Sequence, residues 1–435
     1  MYKRQTSDSG REINIPATTD KDGVAVFENV PVGTYMVIED EETVPYGYLV
    51  ADEKEVKVEY AQTIDATILN EEKTGSITVH KTTEGQKNIE GIKFYLRGTS
   101  DTGREIDIPA ITDENGIAKF ENIPIGTYKV IEDKETVPYG YLVADEKEVK
   151  VEYAQTIDAT ILNNEQTGSI KVHKKTDGMT NIEGIRFILS GVSDTGREIH
   201  IEAVTDKDGL AKFEGVPVGT YTITEDGSTV PYGYLVADSK QVTVTYAQTI
   251  DATILNEEKT GSITVHKTTE GQKNIEGIKF YLRGTSDTGR EIDIPAITDE
   301  NGIAKFENIP IGTYKVIEDK ETVPYGYLVA DEKEVKVEYA QTIDATILNN
   351  EQTGSIKVHK KTDGMTNIEG IRFILSGVSD TGREIHIEAV TDKDGLAKFE
   401  GVPVGTYTIT EDGSTVPYGY LVADSKQVTV TYAQT

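Results

Sequence analysis

No cysteine occurs among the 435 residues, which removes disulfides, thiol catalysis and cysteine-based metal sites from consideration. Any covalent reinforcement must be of another kind. Basic charge is scarce as well: 44 Lys and Arg stand against 75 Asp and Glu, for a net charge of −31. With no Lys/Arg cluster, that balance argues against gripping nucleic acid or anionic lipid, both of which need a basic footprint. No apolar run approaches the roughly 18 residues of a membrane-spanning helix, and the N-terminus carries no apolar export core, so this segment is not expected to insert in a membrane. Metal ligands are equally thin. His80, His173, His266 and His359 alternate with inward-facing residues and are expected to face solvent, while His200 and His386 have no ligand-spaced neighbour. No metal or cofactor is expected.

What is present is a repeat. Thr-Gly-Ser-Ile recurs every 93 residues, at Thr74, Thr167, Thr260 and Thr353, and residues 74–249 recur unchanged as 260–435. That period is too long for solenoid units and suits independent domains in a string. The chain is read as a partial repeat lacking its first strand (1–73), three whole repeats (74–166, 167–259 and 260–352) and a partial repeat lacking its last strand (353–435), a fragment of a longer reading frame. Only Glu-Glu-Lys or Asn-Glu-Gln separates one unit from the next, which predicts close stacking. Met1–Gln5 departs from the repeat at Lys3 and Gln5 and is set outside the fold expectation.

Within the unit starting at Thr74, apolar residues alternate with period two and no sustained 3.6-residue pattern occurs, which predicts an all-β fold. Gly75–Lys81 places Ile77, Val79 and Lys81 on one face. Ile92, Phe94 and Leu96 form a second inward face; Ser100–Gly103 turns into Glu105–Ile108; Asp113–Gly116 turns into Ile117–Phe120. Tyr128, Val130 and Glu132 align on the next strand. Pro138-Tyr139-Gly140-Tyr141 is a rigid crossing, Val149, Val151 and Tyr153 share a face, and the closing strand aligns Ile157, Ala159, Ile161 and Asn163. Seven short strands of this kind predict a two-sheet sandwich.

Three of these apolar faces end in a polar residue: Lys81, Glu132 and Asn163. Taken singly, each reads as a solvated strand end, but the same three return in the next two repeats. If the first and last strands pair in parallel, Lys81 and Asn163 meet. In a dry core, burial disfavours charge and leaves an amine neutral and nucleophilic. Lys81 could then attack the Asn163 side-chain carbonyl carbon, with Glu132 as an acid on the carbonyl oxygen and a proton shuttle, until ammonia leaves. The product is an amide cross-link, formed once per domain without turnover, so no enzyme is expected.

The ordered strings Gly-Ser-Ile-x-Val-His-Lys, Asn-Ile-Glu-Gly-Ile-Lys-Phe, Pro-Ile-Gly-Thr-Tyr-Lys-Val-Ile-Glu and Pro-Tyr-Gly-Tyr resemble the collagen-adhesin B-type (Cna-B, SpaA-like prealbumin-like) repeat domains of Gram-positive surface proteins. The resemblance covers every repeat. It implies tandem seven-stranded inverse immunoglobulin-like (prealbumin-like) β-sandwiches, each with a Lys–Asn isopeptide bond and a catalytic Glu. By position the sets are Lys81–Asn163 with Glu132, Lys174–Asn256 with Glu225, and Lys267–Asn349 with Glu318. The first unit keeps Glu39 and an unpaired Asn70, and the last keeps Glu411 and an unpaired Lys360, expected to remain a free amine. No Leu-Pro-x-Thr-Gly sorting signal or pilin-polymerising lysine motif is seen.

Two motifs read as decoys. Asp101-Thr102-Gly103, with Asp8-Ser9-Gly10 in the first unit, matches the short aspartic-protease signature, but charged Arg104 and Glu105 follow where that chemistry needs apolar flanks, so a turn is expected. Asp206–Gly209 hints at a calcium loop but puts Val204 at the first ligand position, so a β-turn is expected. The functional expectation is a structural one: a monomeric rod forming the stalk of an extracellular, cell-wall-anchored surface protein or adhesin. The alternative is a ligand-binding adhesin region in which the Ser100–Arg104 or Pro138–Tyr141 turns contact a host matrix protein. An accessory domain of a hydrolase would require an enzyme domain elsewhere.

Overall fold

Period-two alternation along short segments, broken by Gly, Asp and Pro turns, leaves strands as the regular structure. The computed structural model describes residues 2–6, 10–86, 89–178, 182–272, 275–364 and 368–434, and among them there is no α-helix, only strands, turns and short 3₁₀ segments. In the repeat beginning at Thr74 the seven strands are β1 Thr74–Thr83, β2 Lys93–Ser100, β3 Glu105–Ile111, β4 Ile117–Pro124, β5 Gly126–Glu132, β6 Lys147–Val151 and β7 Thr156–Asn163. They form a four-stranded sheet, β6-β5-β2-β3, and a three-stranded sheet, β7-β1-β4. The buried faces meet in one core, to which Ile77 and Val79, Phe94 and Leu96, Phe120, Tyr128 and Val130, and Ala159 and Ile161 contribute. The next two repeats build equivalent cores.

The parallel pairing on which the meeting of Lys81 and Asn163 depends is present. β7 runs parallel to β1 with Ile161 opposite Lys81 and Asn163 opposite Thr83. β4 covers the other edge of β1 antiparallel, with a register shift between Gly75 and Ile77. Tyr128 anchors the crossing into β5: its hydroxyl donates to Pro124 O at 2.7 Å, and burial pushes it up to about 12.

Two expectations are corrected. Tyr153 does not share the inward face of Val149 and Val151; it is 50% exposed, because β6 ends at Val151 and the chain turns through Ala154 at φ +57°. The opening residues are part of the fold: Tyr2–Thr6 is a strand, paired antiparallel with Glu12–Pro16 and Gly33–Ile38. Departures at Lys3 and Gln5 do not prevent it, since sheet pairing is carried by the backbone.

Gly75 sits where β1 passes closest to the β6–β7 turn. A Cβ there would lie 2.5 Å from Glu152 O and 2.8 Å from Gln155 O, both backbone atoms. Gly75→Ala is expected to cost about 1–3 kcal/mol through overpacking. The measurement is amide exchange over residues 74–83, whose substituted peptide differs in mass from its copy at 260–269. An unchanged rate would mean that the turn moves aside freely.

Candidate functional site

Each member of the polar set is delivered by a different strand. Lys81 lies near the end of β1, Glu132 ends β5 and Asn163 ends β7, all with burial matching their apolar predecessors on the strand. The side chains are dry: Lys81 is 0% and Glu132 1% exposed, and Asn163 as a residue is 0% exposed. Lys81 Nζ stands 3.7 Å from Glu132 Oε1 and donates to Thr82 O at 2.6 Å and Ile161 O at 3.3 Å. Asn163 Nδ2 donates to Glu132 Oε2 at 2.6 Å and to Leu142 O at 2.8 Å. One carboxylate thus has an oxygen toward each of the other two groups.

The geometry recurs. Lys174 Nζ is 3.6 Å from Glu225 Oε1 and Asn256 Nδ2 is 2.5 Å from Glu225 Oε2. Lys267 is 3.7 Å from Glu318, and Asn349 is 2.6 Å from it. In the first unit Asn70 Nδ2 reaches Glu39 Oε2 at 2.5 Å, though residues 63–70 form no strand. In the last, Lys360 lies beyond the end of its strand, Thr353–His359, is 12% exposed and pairs with Glu411 at 2.5 Å.

Burial holds the Lys81, Lys174 and Lys267 amines below the ordinary lysine value of 10.5, and the adjacent carboxylates only partly oppose it. A buried amine at a depressed pKa is closer to the nucleophilic, neutral form. The arrangement also leaves acceptors without donors: Glu132 Oε1 and Asn163 Oδ1, with their counterparts in the next two repeats, are buried with no hydrogen-bond partner. Each such group generally costs about 1–3 kcal/mol, so the set as it stands is a costly arrangement. The orientation differs from the expected one in one respect. Glu132 faces the Asn163 nitrogen, the atom that would leave, rather than the carbonyl oxygen.

Sequence reasoning missed the backbone after the Pro-Tyr-Gly-Tyr crossing. Ala144 N donates to Glu132 Oε2 at 2.8 Å and Leu142 O accepts from Asn163, so the recurring Leu-Val-Ala segment fixes both side chains; its identity in all five units was the available signal.

The decoys are turns. Gly103 N donates to Ser100 O at 2.9 Å; Asp8 and Ser9 lie outside the described residues. Asp206 Oδ1 is used inside its own turn, accepting from Asp208 N at 2.9 Å and Leu210 N at 3.0 Å. Among the described residues no cluster of three His, Cys, Asp or Glu could hold a metal ion. His80 is 42% exposed and lies 2.9 Å from Asp158 Oδ1 across β1 and β7.

The profile of the SpaA prealbumin-like fold domain matches residues 3–72, 75–165, 168–258, 261–351 and 354–435. No curated protein sequence matches the chain. Among solved structures, the Bacillus anthracis TIE protein is similar in fold, at 21% identity and TM-score 0.50 over 80% of this chain and 66% of that one. The chain therefore spans just under two thirds of that protein. BcpA, the major pilin subunit of Bacillus cereus, matches at 20% identity and TM-score 0.33 over 64% of this chain and 100% of its own. The shaft pilin SpaA from Lactobacillus rhamnosus GG matches at 17% identity and TM-score 0.20 over 42% and 98%.

The depressed lysine has a pH signature. In an Asn163→Ala chain Lys81 stays an amine, and the unfolded state binds its proton more tightly than the folded state. That domain should gain stability as pH rises toward 10.5 and lose it on acidification through the depressed folded value. The check is its urea midpoint at pH 7 and 9.5, read by a fluorophore on a cysteine placed at exposed Lys119 and compared with an Asn163→Ala/Lys81→Met chain. The same pH slope in both would show that Lys81 does not titrate below its ordinary value.

Proposed function

The chain belongs to the SpaA prealbumin-like fold domain family, and we propose that it is the structural stalk of a cell-wall-anchored Gram-positive surface protein. Each whole domain, taken as 74–166, 167–259 and 260–352, is sealed by a Lys–Asn isopeptide bond that it forms itself. The observation that carries the reading is the dry Lys–Glu–Asn set joining first and last strands in three successive domains.

The chemistry balances without a co-reactant. The neutral Lys81 amine attacks the Asn163 side-chain carbonyl carbon, a new N–C bond forms and the bond from that carbon to Nδ2 breaks. A proton passes from Nζ by way of Glu132 to the departing nitrogen, ammonia leaves and Glu132 ends as it began. Its two oxygens, 3.7 Å from the lysine nitrogen and 2.6 Å from the amide nitrogen, suit that transfer. The reaction happens once per domain, which is assembly rather than turnover.

Tying Lys81 to Asn163 closes most of the domain into one loop. By the closed-loop relation used for disulfides this stabilises by about 4–5 kcal/mol. The kinetic effect under tension is larger, since forced unfolding follows the unfolding rate and the bond removes the strand separation that would begin it.

The test is the intact mass of the full chain. Three bonds predict a deficit of about 51 Da, about 17 Da for each ammonia lost. Glu132→Ala should reduce it to about 34 Da, and Lys360→Ala should leave it unchanged. A mass equal to that of the sequence, or the whole deficit surviving Glu132→Ala, would sink the proposal.

A further inference from the structure

Two turns that the bond chemistry does not use meet at every boundary between repeats. The linkers Glu71-Glu72-Lys73, Asn164-Glu165-Gln166, Glu257-Glu258-Lys259 and Asn350-Glu351-Gln352 vary at their outer positions and keep glutamate in the middle. That glutamate is buried in three of the four, the Glu165, Glu258 and Glu351 side chains being 1%, 2% and 1% exposed, and Glu72 is 19% exposed. Its side-chain partners come from the next domain. Glu165 Oε1 accepts a short hydrogen bond from Thr195 Oγ1, and Oε2 accepts from Arg197 Nη1 at 2.7 Å. The Ser-Asp-Thr-Gly-Arg turn supplies both donors. Thr288 and Arg290 hold Glu258 in the same way, as Thr381 and Arg383 hold Glu351 and Thr102 and Arg104 hold Glu72.

The turn is arranged to aim its threonine. Arg197 N donates to Ser193 Oγ at 3.0 Å, and Ser193 Oγ lies 2.6 Å from Thr195 Oγ1. With the Thr195 proton given to the carboxylate, Ser193 donates to Thr195. The glutamate is fixed from its own side as well, since Glu165 N donates to Glu84 Oε2 at 2.9 Å. The linker has no slack. Gln166 N donates to Gly140 O of the preceding domain at 2.7 Å, and Gln166 O accepts from Val218 N of the following domain at 2.9 Å. Gly140, at φ +91° in the Pro-Tyr-Gly-Tyr crossing, would put a Cβ 2.8 Å from Thr195 Cγ2. Glycine there is what lets the two domains approach.

We propose that the Ser-Asp-Thr-Gly-Arg turn is a docking site whose ligand is the terminal glutamate of a preceding domain of the same kind, and that this clasp fixes the angle between consecutive domains and makes the string a stiff rod. A bend that parts Thr195 and Arg197 from Glu165 breaks both side-chain hydrogen bonds to the carboxylate, one of them from a charged donor, so the joint has one favoured geometry. Repulsion among the acidic surfaces is screened beyond about 8 Å and sets no angle. The clasp deepens the stalk reading and rests on it only for its mechanical purpose. Intact mass tests the bonds and the experiment below tests the joint, so either can fail alone.

The absence of native cysteine makes site-specific spin labelling clean. In the full chain, Lys119→Cys and Lys212→Cys place labels at equivalent exposed positions of adjacent domains. Pulsed dipolar spectroscopy should give one narrow distance distribution, at least about twofold broader in Thr195→Val and in Glu165→Gln, and narrow again in Thr195→Ser, which restores the hydroxyl. Glu165→Gln alters the opposite side of the joint and carries the test should Thr195→Val fail to fold. A broad distribution in the parent chain, or distributions as narrow as the parent's in the folded variants, would overturn the clasp.

Discussion

Parallel pairing of the first strand with the last is the constraint from which the rest follows. Because β7 runs in the same direction as β1, the chain enters a domain at one pole and leaves at the other. An antiparallel closure would return it to the pole it entered, and consecutive domains would fold back on each other. The same pairing sets the ends of both strands side by side, so that Lys81 and Asn163 point from neighbouring strands toward Glu132 across the core. End-to-end stringing and the convergence of Lys81 and Asn163 on Glu132 are one topological fact.

A lysine in that position is tolerable only with its partners. Removing one member of a buried ionic pair generally costs about 3–5 kcal/mol, because the survivor is left desolvated. Amide formation resolves the same difficulty differently. It converts an amine and a primary amide into a neutral secondary amide, so that no buried ammonium remains to be partnered. The burial that holds the amine below its ordinary value favours that direction.

Lys81, Glu132 and Asn163 were legible because strand parity is a strict rule: a polar residue two places beyond a run of inward apolar ones must be buried or mark the strand's end, and recurrence in three repeats decides between these. Seven strands in two sheets were legible for the same reason. Tyr153 was misread because parity was carried past the point where the strand stops, and only the turn through Ala154 shows that end. The opening strand was set aside on side-chain departures to which backbone pairing is indifferent. Glu165 was invisible in a different way. A glutamate in a short polar linker is usually a solvated charge, and its burial depends on a turn in the next domain. The Asp-Thr-Gly string was correctly read as a turn, but nothing local reveals what a turn touches.

Stretching and bending are resisted by different means. With Lys81 bonded to Asn163, tension entering at Thr74 runs along β1 to Lys81, crosses the amide and leaves through Asn164, Glu165 and Gln166; residues between the anchors lie off the path. β1 is already extended at about 3.3 Å per residue and cannot lengthen appreciably. Nor can the short linker, at no more than about 3.6 Å per residue. Covalent closure therefore fixes length under load. It does nothing to hold direction between loads, because a string of rigid beads on free joints coils. Holding the angle at each joint would fall to the non-covalent contacts there, and a carboxylate held by Thr195 and Arg197 suits the task because charge-assisted hydrogen bonds are short and directional. On the proposed reading the amide would keep each domain from opening and the glutamate clasp would keep successive domains in line, and a stalk that must stay extended at rest needs both.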